Sequence, residues 1–175
     1  MFNRIALFIG GASLMVAGAA AYSQEAQITD AQIAHIAYTA GVIDVDAGRQ
    51  ALTKSKNATV RAFAEEMVRD HQAVNDSALA LVKKLGVTPA DNATSAALTK
   101  QAKVEHDKLA ALDGAAFDRA YVANEVAFHG TVNGALKDVL IPGAQNPELK
   151  ALLETGLTLF SEHQLHAEHI AASLK

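Results

Sequence analysis

Apolar positions recur along this chain in steps of three and four, the spacing of one face of an α-helix. Four stretches show the pattern over many turns. The first runs Ile33, Ala37, Ala40, Asp44, Ala47, Ala51, widened by Ile36, Ile43 and Leu52. The second runs Val60, Ala64, Met67, His71, Val74, Ala78, Leu81, Leu85. A third reads Asp118, Val122, Glu125, His129, Val132, Leu136, flanked by Phe117, Tyr121 and Phe128. The last reads Leu149, Leu153, Gly156, Phe160, His163, Ala167, Ile170, Leu174. No strand-like alternation occurs, so the pattern predicts an all-α fold.

Punctuation bounds these helices. Thr29 or Asp30 can cap the first, which fades near Lys54, and Asn57 can cap the second. Gly86 suits the residue that closes helix two, and Pro89 prevents its restart. A polar helix is predicted from about Thr94 to Leu112, with Leu98, Ala102, Leu109 and Leu112 as its few apolar contacts. Asp113-Gly114 breaks the chain before a helix over about Ala115–Leu140, which Pro142 and Gly143 end. Asn146-Pro147 then opens the last helix as cap and first residue. Helices one and two are joined by a short loop, hence antiparallel; so are the last two. The polar helix is long enough to cross from one end of the bundle to the other. This is the connectivity of a ferritin-like antiparallel four-helix bundle with an additional crossover helix.

Composition narrows the possibilities. The 175 residues suffice for one domain. There is no cysteine, so disulfides and thiolate metal sites are excluded. The formal charge of −4, with no basic patch, argues against nucleic acid as a partner. Arg4, the uncharged run Ile5–Ala21 and the small residues before Gln24 read as an export signal over residues 1–23. The bundle domain is then 24–175, without a transmembrane span in the mature chain. A periplasmic location is expected; an oligomeric or envelope partner is left open.

Each of the four main helices carries an acid or a histidine on its apolar face, near mid-length: Asp44, His71, Glu125 with His129, and His163. Antiparallel packing brings mid-helix positions to one level, so these groups are expected in one core layer. Burying several ionisable groups unpaired costs several kcal/mol in total, roughly. They must neutralise one another, hold water or bind a cation. Imidazole and carboxylate suit a divalent transition metal: iron, zinc, manganese or copper. Asp118, Tyr121, His166 and Asn75 are candidates for an outer shell, Asn75 as a partner that orients His71. His35 and His106, off the faces, are expected in solvent. His163, His166 and His169 form a rival metal-binding group near the C-terminus. The alternative to a metal is a structural polar network that sets helix register. A third reading is an iron or manganese oxidase or peroxidase. A serine or cysteine hydrolase finds no motif here.

The segments Gly41–Arg49, FAEEMVRDHQAVN (63–75), FDRAYVANEVAFH (117–129) and Glu162-His163 resemble the bacterial domain of unknown function 4142 family. These are exported ferritin-like proteins, some labelled as outer-membrane proteins. The resemblance covers nearly all of the mature chain and implies a ferritin-like bundle and export, with no established activity. The alternating strands that an outer-membrane barrel requires are absent from the sequence. The spacing also departs from di-iron carboxylate bundles, which place Glu-x-x-His on two helices. Here the third helix has Glu125-x-x-x-His129, helix two has Val68 where that glutamate would fall, and Glu162 adjoins His163.

Overall fold

The computed structural model describes residues 28–174; the predicted export signal lies outside them. Among the described residues every regular element is helical: α1 (Asp30–Lys54), α2 (Ala58–Leu85), α3 (Ala93–Ala110), α4 (Gly114–Ala135), a π-helical turn (Leu136–Leu140), α5 (Ile141–Gly143) and α6 (Pro147–Ser173). None of these helices is long and apolar enough to cross a membrane.

Local chemistry accounts for the ends. Thr29 caps α1 in a reciprocal capping box with Gln32. Asp30 can therefore bond elsewhere. Its carboxylate accepts from the backbone N–H groups of Gln145 (2.8 Å) and Asn146 (2.9 Å), pinning the start of α1 to the start of α6. Asn57 and Asn146 cap α2 and α6 through their side-chain oxygens. Gly86 ends α2 at φ 64°, in the left-handed region that glycine enters without a Cβ penalty.

The fourth helical stretch departs from expectation. It runs past Leu140 to Gly143, and Leu136–Leu140 is wound as a π turn in which the Ile141 N–H bonds the Leu136 carbonyl. Pro142 has no N–H to give, and its ring would clash with the carbonyl four residues back. The slip to wider pairing falls over that carbonyl, that of Asp138, and lets the helix pass the proline instead of stopping before it.

Contacts at the helix ends fix the directions. The N-terminus of α1 meets α6 through Asp30, and the C-terminus of α2 meets the same end through Lys84 and Glu148. At the far end Ser55, after α1, donates to Asp118 near the start of α4. So α1, α3 and α6 run one way and α2 and α4 the other. The main packing pairs are α1 with α2 and α4 with α6, closed by α2 against α6 and α1 against α4, with α3 laid outside over α1. Glycines let α1 and α2 approach closely. A Cβ at Gly48 would lie 2.8 Å from Val68 Cγ2 and 3.0 Å from the Ala64 carbonyl oxygen; one at Gly41 would overlap Asn75 Oδ1.

The core divides into two apolar clusters. The upper one, toward the α1–α2 loop, holds Phe63, Ala64, Met67, Phe117, Tyr121, Val122 and Ile170. The lower one, toward the α6 N-terminus, holds Ile33, Ile36, Val82, Leu136, Leu140, Leu149, Leu153 and Phe160. Between them lies a layer of ionisable side chains.

Candidate metal centre

That layer contains Asp44 from α1, His71 from α2, Glu125 and His129 from α4, and His163 from α6, each 1–2 % exposed. Its position follows from the helix lengths. Asp44 and His163 lie near the middle of helices that run up, and His71 and Glu125–His129 near the middle of helices that run down.

The three imidazoles form a triangle with ring centroids 5.3–5.6 Å apart. One nitrogen of each ring lies within 4.8 Å of the other two. With metal–imidazole bonds of about 2.0–2.1 Å, two nitrogens on one ion lie at most about 4.2 Å apart, so the rings would turn inward to hold it. Phe160 stacks on His71, with centroids 4.5 Å apart and planes at 12°, and so fixes that ring's plane.

Each imidazole has a carboxylate at one nitrogen. His129 Nδ1 lies 3.0 Å from the Glu125 backbone carbonyl and 3.5 Å from Glu125 Oε2. A carbonyl can only accept, so Nδ1 carries the proton and Nε2 keeps its lone pair. His163 Nε2 lies 3.1 Å from Asp70 Oδ2, which leaves His163 Nδ1 as the lone-pair nitrogen. His71 Nδ1 faces Asp44 Oδ2 at 3.5 Å without forming a hydrogen bond. The remaining nitrogens, His71 Nε2, His129 Nε2 and His163 Nδ1, are buried and unpartnered. Histidines that ligate metals characteristically give their second nitrogen to a carboxylate or carbonyl, which sets tautomer and orientation.

Electrostatics favours the ligating form. Burial pushes His71 down to about 2, helped by His129 and His163, and His129 down to about 4, helped by His163. Burial lowers His163 as well, against the pull of Asp70. All three are therefore neutral near pH 7, as metal binding requires. Beside them burial, reinforced by Glu125, holds Asp44 well above the usual carboxylate range, and burial raises Glu125 to about 8. Asp44, Glu125 and His129 form a second group with atoms within 4.8 Å, and neither Glu125 side-chain oxygen has a hydrogen-bond partner. Asp70 differs: burial opposes its ionisation, but Arg69 and His163 outweigh that and hold it below its ordinary value. Arg69 grips Asp70 with two bonds of 2.7 and 3.0 Å.

The four outer candidates are scattered. Tyr121 is fully buried with an unpartnered hydroxyl, and burial with Glu125 and Asp44 nearby raises its pKa. Asn75 fills the notch left by Gly41 and makes no hydrogen bond to His71. Asp118 accepts from Ser55, tying α4 to the α1–α2 loop, well above the layer. His166 is on the surface, its Nδ1 2.8 Å from Glu66 Oε2 and its ring edge-on to Phe63. His169 is exposed and shares no ligand cluster with His163 and His166 among the described residues. His106 is exposed as expected, but His35 is half-buried and pairs with Asp91 at 2.8 Å. Sequence reasoning missed Asp70 as the partner of His163 and the adjoining Glu66–Asp70–His163 group. The i, i+4 spacing of Glu66 and Asp70 beside the His71 face was the available signal.

The family model described as Domain of unknown function (DUF4142) matches residues 15–170. The chain belongs to that family. Its fold is similar to the crystal structure described as "putative secreted protein DUF305 from Streptomyces coelicolor", with a TM-score of 0.70 at 11 % identity, covering 82 % of this chain and 91 % of that one. No curated protein matches the sequence.

Proposed function

We propose that this protein is an exported, ferritin-like bundle that binds one divalent transition metal through His71, His129 and His163, with Asp44, Glu125 and Asp70 orienting the rings or completing the set. The observation that carries this reading is three buried imidazoles, each with an unpartnered ring nitrogen, that bring one nitrogen apiece to within 4.8 Å of the others. A network held by hydrogen bonds alone would pair those atoms, because a buried polar atom left unmade costs roughly 1–3 kcal/mol. Imidazole donors suit iron, zinc and copper, and the adjacent acids extend the set to manganese. A bound ion would supply a fixed positive charge to offset the acid pair. The chain's part is to keep the rings neutral, hold the His71 plane by the Phe160 stack and exclude water. Export is supported by the pattern of residues 1–23.

Elemental analysis of untagged protein tests the reading. The expected result is close to one equivalent of metal and a melting point that falls on chelation. Metal-free protein whose melting is unchanged by iron, zinc, manganese or copper would refute it.

A further inference from the structure

The lower half of the core holds a cavity of about 150 Å³ whose wall is almost entirely apolar. Its lining comes from all four main helices. It includes Ile36, Val82, Leu136, Leu153 and Phe160, and it reaches Asp44 and His71 at its inner end. Its lining on α2 runs from His71 to Val82. Small side chains leave the space: Ala37, Ala40, Gly41, Ala78, Ala135 and Gly156 all face it. Its exposed lining residues are Thr94 and Thr131, which puts the mouth where α3 passes in front of α1 and α4. The open groove beneath α3 shares Tyr38, Leu98 and Thr131 with it.

We propose that this cavity binds a small apolar molecule, no larger than one aromatic ring, with its inner end against His71. Size and surface argue for that class. A wall this apolar offers a water few of the 2–4 polar partners it needs, and apolar cavities of about this volume stay dry and take benzene or xenon. A long-chain lipid is too large for the space; an anionic ligand would meet no Lys or Arg among the lining residues, and a cationic one only the Asp44 carboxyl at the inner end. Asp44 and His71 stand together at one end, so a ligand with a single polar atom would be oriented with that atom inward. The inference does not require the metal.

Xenon and benzene are the probes, used on metal-free full-length protein. Xenon-pressurised crystals are expected to show density among Val82, Leu136, Leu153 and Phe160. Saturating benzene is expected to raise the melting temperature and to shift the His71 ring-proton resonances, while those of Phe63 stay in place. Ala78→Leu and Ala135→Leu, which fill the space from two helices, are each expected to weaken benzene at least tenfold. Absence of xenon density in the wild type, or undiminished benzene binding in a folded filled variant, would overturn the proposal. Should both variants unfold, the wild-type xenon experiment decides alone. Neither outcome bears on metal content, so the two proposals fail separately.

Discussion

The two halves of the core are built from the same four helices and differ in how they are filled. Above the ionisable layer, Phe63, Phe117, Tyr121 and Met67 are all fully buried and interlock, with Phe117 stacked parallel to Tyr121 at 6.1 Å. Below it, aliphatic side chains from α1, α2, α4 and α6 surround a gap that alanines and glycines leave open. The layer between therefore has a closed side and an accessible side. A protein that only needed a stable bundle would gain by packing both halves alike, since empty space forfeits dispersion contacts. The asymmetry instead gives His71 and Asp44 an apolar approach while the aromatic half shields the layer from above.

Truncating the closed half should do the most damage. Phe63→Ala is expected to cost about 3–5 kcal/mol, the range for buried aromatic truncations. A urea midpoint that barely moves would show that the upper half is not close-packed. The paired glycines sharpen the contrast at smaller scale. Gly48→Ala meets backbone, the Ala64 carbonyl oxygen at 3.0 Å, as well as Val68. Gly41→Ala meets the end of the Asn75 side chain, which can turn away. Overpacking costs about 1–3 kcal/mol where nothing can give. Gly48→Ala should therefore fall in that range and Gly41→Ala well below it. Equal losses in thermal melts would erase the difference between the halves.

The pH profile of metal-free protein tests the layer itself. Burial lowers the histidines, so below 6.5 the unfolded chain takes up protons that the folded chain refuses, and stability falls with falling pH. Burial raises Asp44 and Glu125, so above 4.5 the folded chain keeps protons that the unfolded chain releases, and stability falls with rising pH. The trends oppose between 4.5 and 6.5, so stability changes less steeply there than either set of groups alone would give. From 6.5 to about 8 only the carboxyl effect remains. One group contributes at most about 1.4 kcal/mol per pH unit. Glu125→Gln should flatten the decline above pH 6.5; an unchanged slope would mean that Glu125 is ionised in the folded state. The smallest effect is expected at Tyr121→Phe. Its hydroxyl is buried without a partner, so removal should be neutral or stabilising by about 1 kcal/mol. A marked loss in chemical denaturation would reveal a partner for that oxygen.

Much of this was legible in the chain. Asn57, Gly86 and Asn146-Pro147 mark helix ends because capping is local chemistry, read within four residues. The shared level of Asp44, His71, Glu125, His129 and His163 is legible because mid-helix residues meet when antiparallel helices of similar length pack. Other features depend on which flank of one helix meets which flank of another, and the 3.6-residue period does not specify that. Asp70 reaches His163 from the edge of its helix, and His166 turns to Glu66 instead of the core, for this reason. The cavity is a mismatch of volumes summed over four helices, so no single segment carries it. The π turn is a compromise between Pro142 and continued packing of Leu136 and Leu140. The pattern predicts a stop at the proline, and burial of those leucines favours continuing.

The most direct measurement is anomalous diffraction from crystals of metal-loaded protein, collected at the absorption edge of the ion identified by elemental analysis. One strong peak is expected within about 2.0–2.2 Å of a nitrogen from each of His71, His129 and His163, and it should be lost in His129→Ala. A metal-loaded crystal with no peak in the layer, or with its peak at the surface beside His166 and Glu66, would contradict a metal centre built on the three buried imidazoles.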